Sequence, residues 1–326
     1  MSAMRQPLSG SDLAGLLAEL RPEDLGPGSD FPAIAVTLAD AEPGLADRLR
    51  SLPCPVIGVG DGRLAPACDL VLPDDALLPR IWENVTRAPI AAMTLVQHLR
   101  LSEGLDRSAG LWAESMAYAT VQTGPEFRAW QQAGRVPPVV AENSAPLLME
   151  RSGEALHLVM NRPLGHNPIG VEMRDALCEA FDLAALDPAI TRITLGSNGR
   201  AFSTGGEVGE FGTVSDPATA HWIRSIRLPA RHLLPVADRF EVRIAGGAIG
   251  AGIEIAAFAR RVVATREAWF QLPEIRYGLI PGAGGTISIP RRIGRQRAAE
   301  LMLSARRVSA SEALAMGLVD EIEPSA

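Results

Sequence analysis

The stretch GGAIGAGIEIAAFARRVVATREAWFQLPEIRYGLIPGAGGT, residues 246–286, decides how the chain is read. It sets Glu254 just after a glycine-rich turn and Glu274 between a proline and an isoleucine, both in apolar company. A carboxylate in such surroundings is costly unless it is hydrogen-bonded, paired or protonated, so each needs a structural or chemical reason. The residues before the turn, RFEVRIAGG, alternate like a strand, and GAGIEIAAFA reads as a short helix. A strand-to-helix turn of this kind needs small residues where the backbone takes a positive φ or approaches a ligand.

The same alternation continues outward. EALHLVMN (154–161) and ITRITLGS (190–197) read as strands around the helical period of IGVEMRDALCEAFDLAAL (169–186). RRVVATREAWF is strand material, while RQRAAELMLSA and SASEALAMG are helices, the last with a capping box of Ser309 and Glu312 and a terminal Gly317. Strands alternating with helices at short spacing imply an α/β architecture. A second glycine turn, GRAFSTGGEVGEF (199–211), carries Gly205 and Gly206. Two such turns could aim backbone N–H groups at one point and stabilise charge developing on a carbonyl oxygen. Each alone is equally readable as an ordinary tight turn.

Composition removes several classes. With 326 residues, 47% hydrophobic, the chain can bury a large core as two segments. It contains no lysine, so lysine-based covalent chemistry is excluded and anionic ligands fall to arginine or to backbone N–H groups. A net charge of −7 with scattered arginines argues against nucleic acid or an anionic membrane as partner. The start of the sequence lacks the pattern of a signal peptide, which leads us to expect a cytoplasmic protein. Cys54, Cys68 and Cys178 are widely spaced and read as reduced packing residues, not as a disulfide or metal framework. No metal site and no cofactor are expected.

The segments NRPLGHNPIGVEMRDAL, GRAFSTGGEVGEF, GGAIGAGIEI, FQLPEIRYGLIPGAGGT and SASEALAMGLVDEI, in this order, resemble the crotonase (enoyl-CoA hydratase/isomerase) family over about residues 146–324. The resemblance implies an α/β fold of crotonase-like repeated ββα units, here with a helical extension, and a CoA thioester held between two oxyanion-hole amides. Those amides fall on Gly206 and Ala251, the latter where the family often has glycine. Glu254 and Glu274 match the two glutamates that the family's hydratases use, which implies Glu254 for activating water and Glu274 for the proton at Cα. Phe202, Ser203, Gly205, Gly250 and Pro273 flank these positions as substrate contacts. Arg162 and Arg200 are candidates for the CoA phosphates, with surface arginine the plain alternative. Phe211, Trp222, Ile223 and Leu228 could line an acyl tunnel or simply pack a helix face. Glu207 stands where aspartate is commoner, and His166 reads as a loop residue. The resemblance implies hydration of a 2-trans-enoyl-CoA to the 3-hydroxyacyl-CoA. Double-bond isomerisation, or a non-catalytic acyl-CoA-binding role, remain as alternatives, and a homo-oligomer (a trimer or a dimer of trimers) is expected.

A seam is read at AGRVPPVVAENSAP, residues 133–146, dividing residues 1–145 from the core at 146–326. Family members continue past GLVDEI with helices that cover the active site and build the trimer. Residues 77–135 look like that tail, and LPCPVIGVGDGRLAPACDLVLPDD (52–75) faintly resembles the family's glycine-turn strand without its glutamate. The expectation is a decayed, rearranged family fragment whose helices dock on the core in place of the tail, against the alternative of an independent interaction domain.

Overall fold

A computed structural model describes residues 6–134 and 139–324. The centre of the seam read from the sequence, residues 135–138, lies outside the described residues.

The first half opens with α1 (Gly10–Glu19), β1 (Ile34–Thr37), α2 (Ala46–Ser51), β2 (Val56–Val59) and β3 (Leu70–Leu72). The three strands form a parallel sheet, β1-β2-β3, with Ile34 opposite Val56 and Ile57 opposite Leu70. Short parallel strands of this kind are buried on both faces, so they read as continuous apolar runs. Here Ile34, Val36 and Val56 pack with Leu13, Leu17 and Leu49, while Ala35, Ile57 and Leu70 turn the other way into the main core. The sheet is thereby a partition between a small core and the large one. Asp69, 1% exposed, fastens it: its carboxylate accepts from the Val56 N–H and pairs with Arg100 and Arg295.

Four helices follow: α3 (Leu78–Arg87), α4 (Pro89–Ser102), α5 (Arg107–Gln122) and α6 (Pro125–Gln132). Proline at the start of α3, α4 and α6 fits the first turn, where its missing N–H costs nothing. Glu126 of α6 accepts from the N–H groups of Ile90 and Ala91, two donors the start of α4 leaves open.

The second half runs β4 (Leu147–Ser152), β5 (Ala155–Met160), α7 (Val171–Leu186), β6 (Arg192–Ser197), α8 (Pro217–Ile226), α9 (Pro229–Leu233), β7 (Phe240–Ile244), β8 (Gly247–Ile249) and α10 (Ala251–Ala256). It continues through β9 (Arg261–Thr265), β10 (Trp269–Gln271), α11 (Gly285–Ile293), α12 (Arg295–Ser304), β11 (Val308–Ser309), α13 (Ala310–Met316) and β12 (Glu321–Glu323). A six-stranded sheet has the order β12-β9-β7-β6-β5-β4, parallel throughout except for β4 against β5. A second sheet, β11-β10-β8, stands apart from it. The capping box of Ser309 and Glu312 and the left-handed Gly317 bound α13 as the sequence indicated. The pattern missed β4, an edge strand whose residues are mostly exposed and therefore show no apolar alternation.

The helices of the first half pack on the second. α5 lies against α8, α4, α11 and α6, and α3 against α12. Arg80 and Asn84 on α3 donate to the carbonyls of Leu303, Ser304 and Ala305, the open acceptors at the end of α12. Leu111, Tyr118 and Phe127 share one apolar cluster with Ile253, Phe270 and Ile287. The three thiols are buried and free, and burial pushes each up to about 12. No helix among the described residues is long and apolar enough to cross a membrane.

Candidate active site

Two glycine turns meet because the segment around Ser203 adds to β8. Ser203 N–H donates to Gly247 O (3.1 Å), and Ile249 N–H donates to Ser203 O (2.9 Å). Gly205 then follows with φ +91, and a methyl group placed on it would lie 2.9 Å from Ile249 O and 3.5 Å from Ala251 N. On the facing turn Gly250 has φ +46, and a methyl there would lie 2.5 Å from Glu274 Oε1. Only glycine satisfies both the torsion and that contact. No acceptor takes the amide hydrogens of Gly206 and Ala251 among the described residues, the latter being the first residue of α10. Alanine is accommodated at position 251 because the positive φ falls on Gly250 instead.

Glu254, 2% exposed, projects from α10 towards the loop that opens α11. Its Oε2 accepts from the N–H groups of Ala283 (2.7 Å) and Gly285 (2.9 Å). Glu274 follows β10 in a short 3-10 turn; it keeps some surface towards the cavity, yet its Oε2 is enclosed without a hydrogen-bond partner. Burial raises both carboxyls. Glu254 is pushed well above the ordinary value by burial first and then by the charges of Glu274 and Glu114, against the pull of its two amide donors. Glu274 is raised to about 8 by burial, with Glu114 adding to it.

Glu114 was not singled out from the sequence. It lies on α5 with 0% exposure and takes the alternate amides of the same loop: Gly284 N–H at 2.7 Å, Thr286 N–H at 3.0 Å and the Thr286 hydroxyl at 2.6 Å. The two carboxyls thus bracket residues 283–286, and burial raises Glu114 to about 7. The signal was present in its spacing. Glu114 stands four residues after Gly110 and four before Tyr118, on the buried face of an amphipathic helix.

Gly205, Gly206, Gly250, Ala251, Glu254, Pro273 and Glu274 all line one cavity of about 530 Å³. Phe211, Trp222, Ile223 and Leu228 line it too, and so does Glu207, whose carboxylate accepts from Gly209 N–H. Other expected contacts lie elsewhere. Arg162 is buried, bonded to the carbonyl of Ser144 and paired with Glu172 at 2.8 Å, so its guanidinium ties a loop together. Arg200 is exposed and off the cavity, and Phe202 is core. Ser203 is also away from the cavity wall; its Oγ donates to Asn167 O and accepts from Gly205 N–H, which shapes the turn from behind. The arginines that do line the cavity are Arg174, Arg224 and Arg227. His166 is a loop residue with φ 63. Among the described residues no cluster of potential metal ligands occurs.

Fold and site together define an α/β protein in which two unpartnered main-chain amides share a cavity with a pair of buried carboxyl groups. The profile described as enoyl-CoA hydratase/isomerase matches residues 150–326, and the chain belongs to that family, the crotonases. It is 34% identical over 179 residues to the 2,3-dehydroadipyl-CoA hydratase of Escherichia coli (strain K12), covering 55% of this chain and 69% of that protein. It is 32% identical to the mitochondrial enoyl-CoA hydratase of Pongo abelii, covering 51% of this chain and 56% of that protein. Among solved structures, an enoyl-CoA hydratase from Thermoplasma volcanium GSS1 superposes with a TM-score of 0.51 at 31% identity, over 55% of this chain and 72% of that one. Glu114 and Tyr118 precede the region that the family profile matches.

Proposed function

We propose that this chain adds water to the double bond of a 2-enoyl-CoA thioester, giving the 3-hydroxyacyl-CoA. The observation that carries this reading is the sharing of one cavity by the amides of Gly206 and Ala251 and the carboxyls of Glu254 and Glu274. A thioester oxygen placed between the two amides gains hydrogen bonds that strengthen as negative charge moves onto it; one such donor is worth about 2.7–4 kcal/mol of barrier. Both carboxyls are raised, and of the two Glu254 alone has two amide donors that favour its anion, which supports it as the group that takes the proton from water. Glu274 has no donor on Oε2 and a raised pKa, which supports it as the acid that delivers a proton to Cα. The proton from water enters Glu254, the hydroxyl adds to Cβ, and the Glu274 proton ends on Cα. The reaction so written needs no cofactor.

The test is a purified-protein assay following loss of the enoyl thioester absorbance over a range of acyl lengths. Glu254→Gln should lower the rate by about 10²–10⁴-fold, the usual worth of a general base. Unchanged absorbance with every thioester overturns the reading. Most of the rate surviving in Glu254→Gln, with the double bond moved instead of hydrated, assigns isomerisation through Glu274. We further propose that residues 77–134 fulfil the covering role of the helices that family members carry beyond the core.

A further inference from the structure

Hydration leaves one polar feature of the cavity wall without a task. Arg224, on α8, lines the cavity with its guanidinium 4.7 Å from the centre of the Tyr118 ring. Its Nε donates to Ser115 Oγ (3.1 Å), Nη1 to Gln122 Oε1 (3.3 Å) and Nη2 to Ser115 O (3.4 Å). A guanidinium has five N–H donors, so these neutral partners leave donors over. Among the described residues no carboxylate lies within ion-pair distance of Arg224, the charge of Glu114 reaching it only through space, whereas Arg227 and Arg174, the other arginines of the cavity, both pair with Asp175. Charges withdrawn from water are normally paired, so a half-buried guanidinium on a cavity wall with no ion pair and donors to spare is open to an anionic ligand.

Its position says which part of a ligand it would meet. A methyl on Gly282 would lie 2.3 Å from Tyr118 Cδ2, so the tyrosine ring rests directly on the segment whose next residue, Ala283, anchors Glu254. Arg224 sits on that same ring. A thioester oxygen at Gly206 and Ala251 with its acyl chain running past Glu254 would bring the chain's far end to Tyr118, Gln122 and Arg224. The surrounding wall of Phe211, Ile223 and Leu228 is apolar.

We propose that Arg224 receives a carboxylate at the far end of the acyl chain, so that the substrate is the CoA thioester of an unsaturated dicarboxylic acid. This rests on the hydratase reading for the placement of the thioester. Matched pairs of 2-enoyl-CoA thioesters of equal length, one ending in a methyl group and the other in a carboxylate, test it on the full chain. The carboxylate member should be preferred by about tenfold or more in kcat/KM at the best length, the size expected of one charge-assisted hydrogen-bonded pair. Arg224→Leu should bring that ratio to about one or below, and Arg224→Lys, which keeps the charge, should retain part of it. Calorimetric binding of the corresponding saturated thioesters reads the same preference without turnover, and a circular dichroism melt checks that each variant is folded. Preferential binding without hydration leaves Arg224's assignment standing and removes the reaction. Preference for the methyl-ended member, or no binding of any thioester, overturns the proposal. So does an Arg224→Leu variant that weakens both members and free CoA equally, which would place the arginine at the nucleotide end.

Discussion

Glu114 shows how a residue off the cavity wall can govern the carboxyls that line it. It and Glu254 divide the amides of residues 283–286, and the charge of Glu114 helps to raise Glu254. Replacing Glu114 by glutamine removes a negative neighbour that raises Glu254 and Glu274, so both should titrate lower. The expected result is a kcat/KM profile whose acid limb moves to lower pH, with KM little changed because Glu114 is off the cavity wall. The limbs belong to the coupled carboxyls together, not to one residue. An unmoved acid limb would confine Glu114 to a structural part. Glu254 and Glu274 were legible in the sequence because a carboxylate beside glycine or proline in an apolar run is conspicuous. Glu114 was not singled out, since its place on the apolar face of α5 signals burial but not the loop amides it would accept from. The surroundings of Arg162 were not legible either, because its bonds to Ser144 and Glu172 depend on loops that a linear pattern does not bring together.

Among the elements, the sheet β1-β2-β3 depends on side chains far away in sequence. Asp69 satisfies the Val56 N–H and faces Arg100 of α4 and Arg295 of α12, so one buried carboxylate joins the sheet to both helices. Asp69→Ala strands a donor and leaves the partly buried Arg100 without its ion pair, while Arg295 keeps Glu103, a loss of about 3–5 kcal/mol. Hydrogen exchange should show faster opening of residues 56–72 in that variant, while the six-stranded sheet keeps its protection. Uniform acceleration over the whole chain would instead mean that the small sheet does not open separately. At the other contact, Leu111→Ala on α5 removes a fully buried side chain facing the second half and should cost about 2–5 kcal/mol in urea unfolding. Periodicity exposed α7 readily because its apolar positions recur each turn. It did not reveal β1-β2-β3 as a sheet separate from the others, because pairing of short parallel strands is set by what covers their faces.

Over the whole molecule, one apolar cluster runs from the first-half helices to the strands of the second, so the carboxyl groups it encloses load the stability of the entire chain. The ordinary value is 4.5, and burial raises Glu114 to about 7, Glu274 to about 8 and Glu254 well above that ordinary value. The unfolded chain sheds these protons near 4.5, whereas the native state keeps them to higher pH. Between those limits the native state binds more protons than the unfolded one, so stability falls as pH rises. This stabilisation is complete below about 4.5 and is lost as pH passes through the raised values of about 7 and 8. The melting temperature should therefore decline from pH 5 to pH 9 by several degrees, each tenfold difference in proton affinity between the native and unfolded carboxyl being worth about 1.4 kcal/mol before relaxation of the site reduces it. Glu274→Gln, which cannot ionise, should flatten that decline between about 4.5 and 8, the window between the ordinary value and the raised value of about 8 that it deletes. A decline equally steep in Glu274→Gln would mean that its carboxyl titrates near the ordinary value, and the case for it as the proton donor to Cα would go with it.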